Sequence, residues 1–287
     1  MSLRAQALQE FDLPAAPQRI EELPSVAPEA QACKVHAPAG RFLLVCSNGA
    51  LSLAFEATLF DLLAESRYPA PRPRRARGGS FIAMLAGRCA AACYSLPAGQ
   101  ELDPATASTP QLMELGRLLA RLHQLGETHP ASVSNPCDLT GLFEQMAPGP
   151  ERDRLAPLGR AGVGRLPAGA VHGGLRPERA LFIGERCSAV LPSGLACSGP
   201  LLLDLAETAV SWMADAEAKV AALRAILSGY QALRRLVQEE QEAFYATLRF
   251  AAAVEGARRC ALQRVNALSA LDCVEGVGER EALAAVG

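Results

Sequence analysis

The sequence predicts an α+β protein of two lobes, a small antiparallel-sheet lobe over residues 1–96 and a mostly helical lobe over residues 97–287. Three observations carry that expectation. The apolar run "RFLLVCS" (41–47) closes on Asn48-Gly49, which reads as a strand and its turn. Pro97-Ala98-Gly99 interrupts the chain. From there on the apolar residues recur at helical spacing. With 287 residues, 50% hydrophobic and 20% charged, the chain is long enough to bury a full core.

Each element has its own signal. Residues 51–66, "LSLAFEATLFDLLAES", carry Leu51, Phe55, Leu59 and Leu62 at helical spacing, with Leu63 beside them. In "RYPAPRPRRARGG" Pro69, Pro71 and Pro73 exclude both helix and central strand. "SFIAMLA" and "AAACYSL" read as two strands about Gly87-Arg88, so the first lobe is expected to hold one helix, 51–66, on an antiparallel sheet. "STPQLMELGRLLARLHQLG" reads as a helix with Thr109 as N-cap, Pro110 at its first position and Gly126 just past its end. Its buried stripe is Leu112, Leu115, Leu119 and Leu122. Residues 147–170, rich in Pro, Gly and Arg, read as a surface loop with about one helical turn. From Asp215 to Leu271 helix formers dominate, with breaks near Ser228-Gly229 and at Leu236 to Glu239, and the last dozen residues read as a frayed tail.

Composition excludes several classes of function. A net charge of −2 and a pI near 6.1 give no basic surplus for a nucleic-acid partner. The nine cysteines are scattered and contain no C-x-x-C, so reduced thiols and no metal site are expected. The amino terminus shows no signal-peptide run, and no window approaches a membrane span, so a cytoplasmic protein with no membrane partner is expected. The string Arg72, Arg74, Arg75 and Arg77 reads either as a solvated loop or as an anion or partner patch.

The most informative stretch is "HGGLRPERALFIGERCSAVLPSGLACSGPLLLDLAETAVSW", residues 172–212. It lies without a gap on a pattern of the form H-[AG]-D-L-x-x-x-N-[VI]-L-F, then I-D-F with A-C, then L-L-x-D-L-A and a Trp. The chain thereby resembles the two-lobed, protein-kinase-like fold of the aminoglycoside and choline phosphotransferases, and within it the bacterial homoserine kinases. "LPAGQELDP" resembles the hinge of that family and "LSGYQALRRL" (227–236) its late helices.

The resemblance also shows what has been exchanged. Phosphoryl transfer of this kind needs a carboxylate to take the hydroxyl proton, oxygen ligands for Mg²⁺, and a cationic grip on phosphates. The base position holds Gly174, the Asn position Arg179, and the metal-binding Asp position Pro192. The phosphate-contacting position in the strand "RFLLVCS" holds Val45. Glycine offers no acceptor, a guanidinium has no lone pair and repels a metal ion, and proline has no side-chain donor atom. Lys34 reads as solvated, and Glu56, on the helix that carries the family's Glu, as a surface or rim carboxylate with no Lys partner. His172 and Asp204 remain as structural anchors of the loop, with Leu175, Leu181 and Phe182 as core.

Two functional expectations follow from the resemblance. The first is a catalytically degenerate homoserine kinase-like protein that binds a protein partner or a small anionic ligand and needs no cofactor. Arg176 and Arg179 are its candidate ligand-binding residues; alternatively Arg179 pairs with Glu178 or Glu207 and plugs the site. The second is an active small-molecule phosphotransferase using ATP and magnesium, with Glu178, Glu185 or Glu207 as a displaced carboxylate. A purely structural partner of another subunit is a third reading.

Overall fold

The computed structural model describes residues 2–14, 16–27, 30–129, 133, 143, 146–161, 166–213, 218–262 and 268–286. The first lobe is built on a five-stranded antiparallel sheet. Its strands β1 (Arg19–Ala27), β2 (Ala30–Ala37), β3 (Gly40–Ser47), β4 (Ile82–Met84) and β5 (Ala90–Ser95) lie in the order β1-β2-β3-β5-β4. The run "RFLLVCS" is apolar at successive positions because both of its faces are covered. Leu43 and Val45 point to the inner side, with Tyr94 and Ala92 as their partners on β5. There they meet Leu53, Leu59, Phe60 and Leu63 of helix α2 (Ala50–Glu65). Phe42 and Leu44 point outward and are covered by Ala7 and Leu8 of α1 (Leu3–Glu10) and by Phe11. Helix α1 corrects the expectation of a single helix in this lobe. Its sequence has no apolar stripe, and Ser2 caps it by accepting from Ala5 N at 3.2 Å.

The strand leaving this sheet is stitched to a β-hairpin of the helical half. Gln100 and Phe182 exchange both backbone hydrogen bonds, at 2.9 and 2.8 Å, and Ser188 Oγ donates to Ala98 O at 2.6 Å. The hairpin is β7 (Ala180–Ile183) with β8 (Arg186–Val190). A second short ribbon pairs β6 (Ala168–Val171) with β9 (Cys197–Pro200). The loop 172–179 therefore runs between two ribbons, and β9 feeds directly into α5 (Leu201–Met213).

Around this lie α3 (Thr109–Gly126), α4 (Pro150–Ala161), α6 (Lys219–Gln231), α7 (Gln238–Ala261), α8 (Ser269–Val277) and α9 (Glu279–Val286). Several expectations are corrected here. The cap of α3 is Ser108, one residue earlier than Thr109, because Ser108 and Gln111 form a reciprocal capping box. Gly126 is the last helical residue and lies against β6, where a Cβ would come within 2.6 Å of Ala170 Cβ. The stretch 147–170 holds a three-turn helix and the start of β6. Pro150 sits at the helix start, acidic residues fill the first turn, and Leu155 and Ala156 are buried. Helix α6 runs through Ser228-Gly229 and ends at Gln231. Gly229 there serves close packing: a Cβ would lie 1.9 Å from Met113 O, and one on Gly116 would lie 2.0 Å from Ile226 O. The expected tail is helix α9, anchored by Ala282 and Val286. No helix among the described residues is long and apolar enough to cross a membrane.

Candidate functional site

The loop 172–179 is shaped from α5. Asp204, in its first turn and buried, accepts from the backbone N–H groups of His172 (2.7 Å), Gly173 (3.0 Å) and Gly174 (2.8 Å). Thr208, one turn later, accepts from Leu175 N at 3.2 Å, and Trp212, a further turn on, donates to Leu175 O at 2.8 Å. The i, i+4, i+8 spacing of Asp, Thr and Trp on one helix face thus reads four successive residues of the loop. Both glycines have positive φ, +82° at Gly173 and +90° at Gly174, and a Cβ on Gly173 would also strike Leu195 at 2.8 Å.

Asp204 is held on its other side by a buried chain. His123 Nε2 donates to it at 3.0 Å, Tyr230 Oη lies 2.7 Å from His123 Nδ1, and Arg234 donates to Tyr230 Oη at 3.2 Å and pairs with Glu240. Burial alone would raise the Asp204 pKa. The hydrogen bond and charge of His123, then His172 and the loop amides, outweigh it and hold the carboxyl below its ordinary value. His172 is buried, with Nε2 donating to Leu191 O at 2.9 Å, and burial lowers its pKa.

Glu56 corrects the expectation of a surface or rim carboxylate. It is fully buried on α2 and faces the loop that follows Pro192. It accepts from Ser193 N at 2.9 Å and from Gly194 N at 2.8 and 3.1 Å. A buried carboxylate needs donors, and with Val45 in the facing strand backbone amides supply them. The same loop rests on the sheet: a Cβ on Gly194 would lie 2.9 Å from Ala30 Cβ and 3.4 Å from Val45 Cγ1. Burial raises the Glu56 pKa to about 7 against the lowering effect of those amides. Because the folded value exceeds the unfolded one, ionised Glu56 opposes folding. That penalty is absent below the unfolded pKa, grows as pH rises from about 4.5 to about 7, and is constant above. The Glu56→Gln variant should therefore gain stability relative to the parent chain across this window, by roughly 1–3 kcal/mol at pH 8 compared with pH 4.5. Paired urea titrations at the two pH values measure it, and a difference independent of pH removes the assignment.

The positions where the resemblance implies catalysis hold the following. Gly174 leaves open the place of a base side chain. The atoms nearest a Cβ built there are Arg176 Nε, Glu207 Cβ and Glu207 Oε2, each at 3.8 Å. Pro192 lies beside the Glu56-bound loop. Arg179, 1% exposed, donates from Nη2 to Pro24 O on β1 at 3.2 Å, so it spans the two lobes. Its partner is a backbone carbonyl, where the plugging alternative had named Glu178 or Glu207. Arg176 instead reaches Glu255 on α7 at 2.5 Å, Arg259 donates to the same carboxylate at 2.7 Å, and Glu207 pairs with Arg258 at 2.9 Å. Burial would raise the Glu255 pKa, but Arg176 and then Arg259 bring it down to about 2; burial raises that of Glu207. Of the other carboxylates, Glu178 and Glu185 make no hydrogen bond or ion pair with loop 172–175. Lys34 pairs with Glu101 at 2.5 Å.

The residues at the positions where the resemblance implies magnesium ligands do not fit that ion. The position of one ligand is a buried cation, that of another is proline, and among the described residues no His, Cys, Asp and Glu cluster could hold a metal ion. None of the eight described cysteines forms a disulfide with another, and burial pushes the thiols of Cys46, Cys93 and Cys187 up to about 12, outside the reactive range. Cys137 lies outside the described residues. In the 72–77 string Arg74 and Arg75 stack on Phe42 and Phe81, and Arg77 pairs with Asp12.

Sequence reasoning missed Glu255, Arg258, His123 and Tyr230. A signal existed: "AAAVEGARRCA" sets charges among alanines in a helix, where solvent-facing residues would be expected to be polar throughout.

Residues 29–238 match the model of the family described as Phosphotransferase enzyme family. A homoserine kinase of Rhodopseudomonas palustris (strain BisB18) is 31% identical over 236 residues, 76% of this chain and 72% of that protein. Among solved structures, an amicoumacin kinase has a TM-score of 0.72 at 13% identity, covering 96% of this chain and 90% of that one. An aminoglycoside phosphotransferase of Alicyclobacillus acidocaldarius has a TM-score of 0.64 at 15% identity, covering 98% and 93%.

Proposed function

The chain belongs to the phosphotransferase enzyme family, among its homoserine kinase-like members, and from that premise we propose that it acts by binding, as a regulator, scaffold or small-ligand sensor, without metal-dependent phosphoryl transfer. The observation that carries this reading is Arg179. A buried guanidinium tied to Pro24 O stands where the family's asparagine would meet the metal. A cation there repels Mg²⁺, and Gly174 and Pro192 supply neither base nor ligand, which removes the terms that lower such barriers most. What the chain keeps is the scaffold around them, the Asp204 anchor above all.

A second reading has two observations in its favour. Glu207 brings a carboxylate oxygen to 3.8 Å from the Cβ position of residue 174, and the R. palustris relative is named a kinase. Under it, Glu207 serves as the displaced base of an ATP-dependent small-molecule kinase. Burial raises its pKa, which makes the carboxylate a better proton acceptor, although its other oxygen is engaged by Arg258.

One experiment separates them. The chain is melted with and without Mg-ATP, Mg-GTP and ADP, and ADP formation is followed with homoserine, choline and an aminoglycoside as acceptors. A nucleotide at 100 times its dissociation constant would raise the melting temperature by roughly 5–10 °C for a chain of this size. The binding reading expects no magnesium-dependent shift and no turnover. Turnover that disappears in Glu207→Gln establishes the second.

A further inference from the structure

The cations around the loop 174–179 are incompletely partnered. Arg179 makes one hydrogen bond, to a neutral carbonyl, and forms no ion pair among the described residues. Its Nε and Nη1 are buried with no partner among the described residues. On the same turn Arg176 spends Nη2 on Glu255 and leaves Nε buried and unpartnered, 3.8 Å from the empty Cβ position of residue 174. Arg258 likewise uses Nη1 on Glu207 and leaves Nε unpartnered.

Buried donors without acceptors are rare in native proteins, and an unpaired buried charge is costlier still. Here charge and hydrogen bonding are short by the same kind of group. Arg176, Arg179, Arg258 and Arg259 stand against Glu207, Glu255 and Glu178, and the nearby Glu56 is spent on the amides of residues 193 and 194. Burial, which outweighs Glu178, the strongest of the attracting charges, lowers the proton affinity of Arg179, as a cation lacking its counter-charge requires. One oxyanion would supply both the missing acceptors and the missing negative charge. Guanidinium is suited to this because it binds phosphate and carboxylate oxygens through directed N–H groups.

We propose that Arg179, with the Nε–H of Arg176 on the same turn, forms a metal-free site for a small oxyanion, the phosphate or carboxylate group of a ligand. This rests on the binding reading above and names the chemistry of what is bound. The site lies where loop 174–179 meets β1 at Pro24, so a bound anion would touch both lobes.

The test is calorimetric titration of the full chain in EDTA, without nucleotide, with inorganic phosphate and separately with acetate. The parent chain is compared with Arg179→Met, which keeps the aliphatic stem, and Arg179→Lys, which keeps the charge. One saturable site is expected for at least one anion, weakened at least tenfold in Arg179→Met and less in Arg179→Lys. Preference for phosphate points to a phosphorylated ligand and preference for acetate to a carboxylic acid. Without anion, Arg179→Met should melt no lower than the parent, because it removes an unpaired buried charge. Silence of both anions on the parent chain overturns the proposal. So does unchanged binding in Arg179→Met, or a melting temperature of that variant well below the parent. Magnesium-dependent turnover in the earlier assay would end the binding reading and leave this titration readable, since no metal or nucleotide is present in it.

Discussion

Asp204→Ala should lose about 3–5 kcal/mol of stability, several times the effect of an ordinary surface substitution. The carboxylate accepts from His172 N, Gly173 N, Gly174 N and His123 Nε2; three of these bonds are buried and that of Gly173 is half-buried. Truncation orphans them together, and an unmade bond to a buried donor costs about 1–3 kcal/mol. The pH dependence has a definite sign. The Asp204 pKa is depressed in the folded state, so its contribution is complete above the unfolded carboxylate value and is lost as pH falls through the folded one. Asp204→Asn, which accepts through one oxygen only, should fall between. Urea unfolding measures the loss, and hydrogen exchange at residues 172–174 locates it. A loss below about 1 kcal/mol would show that the loop holds itself.

The second large effect is expected at Glu255. Glu255→Ala leaves Arg176 buried with no counter-ion, and breaking a buried pair from one side costs about 3–5 kcal/mol. Arg259, which shares the carboxylate, is more exposed and can turn to water. Replacing both partners, Glu255→Met with Arg176→Met, should recover most of the loss, because the desolvation of two charges is removed along with their attraction. The folded pKa of about 2 means that the pair's contribution is whole above the unfolded value near 4.5 and fades as pH drops towards 2. A double variant as unstable as the single one would contradict this account.

How far these features could be read from the sequence depended on whether their cause was local. The strand 41–47, helix 51–66 and the Asp204 anchor were legible because apolar runs and a lone acid among leucines are written in adjacent residues. The boundaries that failed were set by distant neighbours. Gly229 looks like a break in sequence and is a contact in space, since its missing side chain admits Met113 O. The helix Pro150–Ala161 was hidden by its Pro and Gly content, and what holds it is packing on α7. Strands β1 and β2 gave little signal because Glu, Lys and Pro interrupt their alternation. Glu56 was misread because its partners are backbone amides of residues 193 and 194, which no side-chain pattern advertises.

The glycine crossing of α3 and α6 reaches further than its own neighbourhood. Gly116 and Gly229 let the two backbones touch. His123 lies two turns along one helix and Tyr230 is the next residue on the other, and their 2.7 Å hydrogen bond spans the gap between the axes. That bond is the middle of a relay from Arg234 through Tyr230 and His123 to Asp204, and Asp204 sets the loop at residues 172–174. A gauge for the loop is therefore built into the thickness of a helix pair. One added methyl at 116 or 229, remote from the loop and uncharged, would force the axes apart and stretch the relay at its shortest link. The loop's tolerance to substitution is fixed at a place where the nearest neighbours are backbone atoms and no side chain takes part.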